Sequence, residues 1–299
     1  MATTRALDEL REAAVDGTTL AYREHGDGEP VVFVHGTASD LRSWTSQLPA
    51  IGASYRALAL SRRYARPNED IEPGADDQML PHVDDLAAFL EATGATPAHL
   101  VGNSWGAFIC LLTAIRHPHA VRSLVLEEPP VLPLFVGTPP RPRELLGLLV
   151  RRPRTALAIA SFGARTMAPA QRAFRRGDDE HAMRTFAAGV LGPEGLRRVP
   201  EERRQQMREN VAAMRAQLLG AGFPPLADDD VRRVAAPTLL LCGQQSPRFF
   251  HRLADRLEEL LPRAERLEIA GVSHRMHEED PDAVNEAILA FLDRHAAQR

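Results

Sequence analysis

Ser104 stands in the pentapeptide Gly102-Asn103-Ser104-Trp105-Gly106, between the apolar run AHLV and the amphipathic stretch WGAFICLLTAIRH. Glycine two residues before it and two after leaves room for a turn in which a single residue joins a strand to a helix. A serine on such a turn is placed as a nucleophile. Its hydroxyl is nevertheless unreactive near neutral pH unless a base takes its proton. The helix that begins at Trp105 points free N–H groups at the same spot, which favours negative charge there.

A base for this serine is sought on a loop late in the chain. His274 and His277 both follow the apolar run LEIAG, in AGVSHRMHEEDP. His274 is nearer the strand end, where loops carry catalytic groups, and is preferred. His277, just before Glu278-Glu279-Asp280, reads as the start of a helix in water. The other nine histidines, His117 and His119 among them, read as solvated surface. That pair has no third ligand in view, so no metal site is expected. Stabilising an oxyanion needs backbone N–H groups. One comes from Trp105 and a second from the loop His35-Gly36-Thr37-Ala38-Ser39, with Thr37 the first choice and Gly36 the next.

The elements that would hold these groups alternate along the chain. LREAAV and TTLAYREHG flank the hairpin signal Asp16-Gly17, VVFVHG and YRALALS are strands, and HVDDLAAFLEATG has helical spacing up to Gly94. AHLVG, VRSLVLEEPP, PTLLLCG and AERLEIAG are further strands, interleaved with the helices WGAFICLLTAIRH, FFHRLADRLEELL and DPDAVNEAILAFLDRH. This alternation predicts an α/β fold, a mostly parallel sheet with helices on both faces. Between about Leu132 and Asp230 no strand-like run occurs, only Arg-rich helical stretches broken by Pro and Gly. The expected division is therefore a core over 1–131 and 231–299 with a helical cap, 132–230, inserted after the sixth strand.

Composition fits that division. The chain has 299 residues, 44% of them hydrophobic, and a net charge of −4 without a single lysine. From Pro139 to Leu219 sixteen arginines face eight acidic residues, so this segment is basic and the remainder acidic. No aromatic interleaving or binding motif accompanies the arginines, so nucleic acid is not an expected partner. Neither an apolar leader nor a membrane-length apolar run is present, so a soluble cytoplasmic protein is the expectation. Cys110 and Cys242 lie in apolar contexts and read as buried thiols. A homodimer is left open.

In this order, VVFVHG, GNSWGA, VRSLVLEEPP, PTLLLCG, GVSH and the helical insertion resemble a capped α/β-hydrolase, over essentially the whole chain. The resemblance implies one antiparallel strand among the first two, a site between core and cap, and the chain order nucleophile, acid, histidine. It also implies an acid a few residues after the seventh strand, but Gly243-Gln244-Gln245-Ser246 has Ser246 in that place. Neither Gln nor Ser stabilises an imidazolium as a carboxylate does. Some haloalkane dehalogenases and the zearalenone lactonases carry the acid at the end of the sixth strand instead. Here that end is Leu126-Glu127-Glu128-Pro129-Pro130, and Glu128 is the choice, with Glu127 the runner-up. Strand alternation places the two on opposite faces, so only one of them is expected to reach the histidine.

Ser104 narrows the chemistry, since dehalogenases and epoxide hydrolases of this fold use Asp as nucleophile. A serine makes an acyl-enzyme, which implies carbonyl substrates. The expectation is a cofactor-free serine hydrolase acting on an ester or lactone of a hydrophobic small molecule. Thioester or C–C cleavage, a non-hydrolytic cyclase or lyase, and a ligand receptor on the same fold are the alternatives. Candidate substrate contacts are His35, Trp44, Phe135, Phe162, Met167 and Phe186, with Leu134 and Met214 behind them. Arg63 joins them from Ser61-Arg62-Arg63-Tyr64, which replaces the family's Asp-x-x-Gly; its fork suits a carboxylate. The basic cap weakly favours an anionic or polar substrate.

Overall fold

The fold is described from a computed structural model over residues 9–137 and 141–296. A hairpin opens it, β1 (Arg11–Val15) and β2 (Thr18–His25), followed by β3 (Pro30–Val34), the short helix α1 (Gln47–Gly52) and β4 (Arg56–Leu60). Helix α2 (Met79–Ala92), β5 (Ala98–Asn103), α3 (Trp105–Arg116) and β6 (Val121–Glu127) continue the alternation. Six helices and a short one then follow without a strand among the described residues: α4 (Pro142–Arg151), α5 (Pro153–Phe162), α6 (Ala168–Arg175), α7 (Asp179–Arg197), α8 (Glu201–Glu209), α9 (Val211–Leu219) and α10 (Asp228–Arg232). The chain closes with β7 (Thr238–Gly243), α11 (Arg248–Leu260), β8 (Ala264–Ile269), α12 (Met276–Glu279) and α13 (Pro281–His295).

The strands form one eight-stranded sheet in the order β1-β2-β4-β3-β5-β6-β7-β8. Strand β2 is antiparallel to both its neighbours, and β4, β3, β5, β6, β7 and β8 pair in parallel. The central strands read as unbroken apolar runs because both faces are covered. Val32, Leu100, Leu124 and Leu240 pack against α2 and α3, whereas Val31, Phe33, Val101 and Leu239 pack against α1 and α13. Successive residues of one strand thus feed different cores.

The helical segment has a smaller core of its own, built from Phe174 of α6, Met183 of α7 and Met214 and Leu218 of α9, and Ala38 of the loop after β3 belongs to it. Helix α8 is stitched to the same loop. Arg203 donates to the Ala38 carbonyl at 2.7 Å, and Gln206 and Asn210 each donate to Asp40 at 2.8 Å. Two expected substrate contacts are taken up here, since Met167 and Phe186 pack against this core. Phe135, with Leu134, packs against the main core instead.

Both cysteines are buried and free, and burial pushes the Cys242 thiol up to about 12, so it stays protonated and inert at neutral pH. Among the described residues no helix is long and apolar enough to cross a membrane.

Candidate active site

Ser104 joins β5 directly to α3, with φ 52° and ψ −118°. Its N–H donates to the Glu127 carbonyl of β6 at 2.7 Å, which pins the turn to the neighbouring strand. The two flanking glycines are required by close approach. A Cβ on Gly102 would lie 2.6 Å from the Ala107 Cα, and one on Gly106 only 2.2 Å from the Val34 carbonyl oxygen. Backbone on both sides leaves nothing to give way. Gly106→Ala is therefore expected to cost about 3 kcal/mol of stability in urea denaturation. Gly147→Ala, in a helix with nothing within 4 Å of the new methyl, should cost nothing.

Outside glycine, four residues have positive φ: Ala38, Tyr64, Ser104 and Glu128, among the described residues. Each follows the carboxyl end of a strand, β3, β4, β5 or β6. Strained backbone concentrates at functional sites, and ligands of open α/β sheets bind at these strand ends.

The left-handed turn at Glu128, φ 47°, takes the chain out of β6 just before Pro129. Glu128 Oε1 accepts from the Gly243 N–H at 2.9 Å, and Oε2 lies 2.5 Å from His274 Nδ1. A carboxylate only accepts, so Nδ1 carries the proton and Nε2 keeps its lone pair. Nε2 is buried and makes no hydrogen bond, and the Phe250 ring stacks on the imidazole at 4.0 Å. Ser246 does not take part: its N–H bonds to the Gly243 carbonyl, and its buried Oγ has no partner.

Glu127 does not compete for His274; it has a histidine of its own. Its Oε2 lies 2.6 Å from His277 Nδ1, and Asn103 Nδ2 bridges the two pairs, donating to Glu127 Oε2 and to the His274 carbonyl, each at 3.1 Å. Only Glu128 therefore reaches His274, as expected, and Glu127 is engaged by a second histidine that the alternation argument did not consider. His277 is 3% exposed, contrary to the reading of a solvated helix start. Trp44 covers it, ring centroids 4.1 Å apart, and the neighbouring acids are bound inside the chain, Glu278 by Arg203 and Arg275 and Glu279 by the Ser273 N–H. Trp44 is itself fully buried against Phe33, so it packs beneath the loop.

The loop after β3 rests on the serine, since a Cβ on Gly36 would meet Asn103 Oδ1 at 2.8 Å and the Ser104 Cβ at 3.2 Å. Trp105 is the first residue of α3, so its N–H has no acceptor within the helix. Two expected ligand contacts prove structural. His35 is fully buried, with Nδ1 2.9 Å from the Gly36 carbonyl and Nε2 accepting the Arg62 backbone N–H at 3.0 Å. The Arg63 fork is occupied by Asp85 through bonds of 2.7 and 2.6 Å, so it is not free for a substrate carboxylate.

Its neighbour Arg62 is a buried residue beside the candidate site that the sequence reading did not single out. Its Nε and Nη2 donate to the His35 and Gly36 carbonyls at 2.9 and 3.0 Å, and its guanidinium lies over the Trp105 ring at 4.5 Å. Those carbonyls belong to the peptides that carry the N–H groups of Gly36 and Thr37. The guanidinium therefore polarises both as donors. Burial pushes Arg62 down to about 10, which leaves it charged at neutral pH. The only sequence signal was a doubled arginine at a strand end.

Three further histidines read as surface residues are buried: His35, His82, which pairs with Asp77 at 2.6 Å, and His99. Burial holds all three below the usual imidazole range, helped at His35 by Arg62. The folded state thus resists protonation while the unfolded chain takes up protons near pH 6.5. Stability present above about pH 6.5 is lost as pH falls toward the lower folded values. Melting temperature should drop between about pH 7 and 5, a window above the carboxylates; a flat profile there would contradict this.

The sheet order, the strained serine between β5 and α3 and the helices between β6 and β7 together define a fold class. Residues 29–281 match the family model of the alpha/beta hydrolase fold, and the chain belongs to that family. It is 24% identical over 306 residues to a haloalkane dehalogenase of Bradyrhizobium diazoefficiens, covering 95% of this chain and 94% of the relative. With epoxide hydrolase A of Mycobacterium tuberculosis it shares 28% identity, over 94% of this chain and 97% of that one. The solved structure of a thermophilic esterase from Thermogutta terrifontis superposes with a TM-score of 0.72 at 20% identity, covering 97% and 100% of the two chains.

Proposed function

We propose that this chain is a serine hydrolase that cleaves an ester or lactone of a hydrophobic small molecule through an acyl-enzyme, without a cofactor. The observation that carries the reading is the buried contact of Glu128 with His274 Nδ1, which frees Nε2 as a base on the same sheet end as the strained Ser104. In the cycle, His274 Nε2 takes the Ser104 proton as Oγ attacks the carbonyl, and the N–H groups of Thr37 and Trp105 hold the oxyanion. The imidazolium then protonates the leaving oxygen. Water, deprotonated by the same nitrogen, opens the acyl-enzyme, and Ser104 leaves with its proton restored. An acid at the end of β6 supports kinship with the lactonases that carry theirs there. The helices from α4 to α9 serve as the cap.

One observation favours a second reading, a ligand-binding protein: His274 Nε2 has no hydrogen bond. Catalytic contacts are often long before substrate binds and tighten in the complex. Turnover of p-nitrophenyl esters of graded chain length, compared between the natural chain and Ser104→Ala, separates the two. No serine-dependent turnover together with tight ligand binding would establish the second.

A further inference from the structure

A cavity of about 960 Å³ lies between the helical segment and α11, outside the residues just described. Its walls come from α5, α7, the first turn of α11 and a π-helical turn, Gly163–Met167, that links α5 to α6. Turns of this kind recur at functional sites. Five arginines line it, Arg154, Arg165, Arg184, Arg248 and Arg252, and no Asp or Glu does. Arg252 pairs with Asp255, whereas Arg154, Arg165, Arg184 and Arg248 are exposed and have no carboxylate partner among the described residues. Elsewhere in the same segment Arg152, Arg203 and Arg215 each have one. Like charges gathered round one cavity oppose folding, and a bound anion relieves them.

The wall facing the candidate triad is aromatic. Phe162, the one expected substrate contact that lines this cavity, stacks on Phe249 with ring centroids 4.2 Å apart. Phe249 meets Phe250 edge-on at 5.1 Å, and Phe250 stacks on His274. Three rings thus run from the arginine-lined cavity to the proposed base, and exposed Leu157 extends the apolar surface on the α5 side.

We propose that this cavity binds an anionic amphiphile, its carboxylate or phosphate among Arg154, Arg165, Arg184 and Arg248 and its apolar body against Phe162 and Phe249. That this anion is part of the substrate rests on the serine-hydrolase reading; the binding site itself does not. Guanidinium forks match either oxyanion in a bidentate manner, and the stacked rings suit an alkyl or aromatic tail.

The test uses the full chain carrying Ser104→Ala, with octyl phosphate, octanoate and neutral octyl glucoside titrated in a calorimeter. Octyl phosphate or octanoate should bind with Kd below about 1 mM, and added salt should weaken it. Arg165→Glu with Arg248→Glu should raise Kd at least about tenfold. Arg175→Glu with Arg176→Glu, the same charge change at the C-terminal end of α6 outside the cavity, should leave it unchanged. Whichever of the two anions binds more tightly identifies the head group. Equal binding of octyl glucoside, or equal loss in both double variants, would overturn the proposal.

In the serine-containing chain, the mono-p-nitrophenyl ester of a long dicarboxylic acid should be cleaved with higher kcat/KM than the neutral p-nitrophenyl octanoate. The cavity variants should remove that preference. Anion binding without turnover of either ester would sink the hydrolase reading alone. Turnover without anion binding would sink the cavity proposal alone.

Discussion

Replacing Ser104 by Ala is expected to lower kcat for p-nitrophenyl ester hydrolysis by about 10⁴-fold or more and to abolish labelling by a serine-reactive phosphonate. The size follows from the role. Without Oγ there is no acyl-enzyme, and what persists is whatever the oxyanion donors contribute to direct attack by water. A loss of fold would not explain such a result. The Ser104 side chain makes no capping hydrogen bond to α3, and alanine keeps the same Cβ at the strained turn. Melting should therefore shift by no more than about 1 kcal/mol in stability. Full-strength labelling of Ser104→Ala would remove the nucleophile assignment altogether. Retained labelling of the natural chain without ester turnover would instead mark an activated serine with a different substrate.

What could be read from sequence divides by how local its cause is. The Ser104 turn is legible because the clash that demands Gly102 and Gly106 lies within a few residues and one neighbouring strand. Burial on both faces writes itself into VVFV and TLLL, so the sheet was legible too. Glu128 is singled out by its place at a strand end, and it alone of the two glutamates meets His274, while the pairing of Glu127 with His277 is not legible in sequence. Nor does strand alternation show the left-handed turn, φ 47°, with which Glu128 leaves the strand. His277 was misread for another reason. A run of charges looks solvated, and only tertiary packing brings Trp44, Glu127 and Arg203 onto it. Arg62 and Arg63 cannot be told apart in sequence either. The exit direction of β4 sends one under Trp105 and the other to Asp85. Side-chain directions in the helical segment were out of reach for the same reason, and Phe162 alone among Phe135, Phe162, Met167 and Phe186 lines the large cavity.

Glu128→Gln should lower kcat by about 10³- to 10⁴-fold, while Ser246→Ala stays within about threefold of the natural chain. The argument is one of tautomers. With a carboxylate 2.5 Å from Nδ1, the imidazole proton sits on that nitrogen and Nε2 can accept. A glutamine amide can turn its NH₂ toward Nδ1, which then accepts and moves the proton to Nε2. The base is lost although no atom has moved far. The amide oxygen then takes the place of Oε1 and still accepts from the Gly243 N–H, so the end of β7 keeps its partner. Glu127→Gln should behave differently. Glu127 holds His277 and Asn103, and Asn103 holds the His274 carbonyl, so the substitution disturbs a buried pair at a distance from the reacting atoms. Its expected signature is a stability loss of about 3 kcal/mol with a smaller loss of kcat. The measurement is kcat for the three variants beside their urea midpoints. If Ser246→Ala loses more activity than Glu128→Gln, the acid is not Glu128. If Glu127→Gln loses the most activity at unchanged stability, the working pair is Glu127 with His277, and His274 is its support.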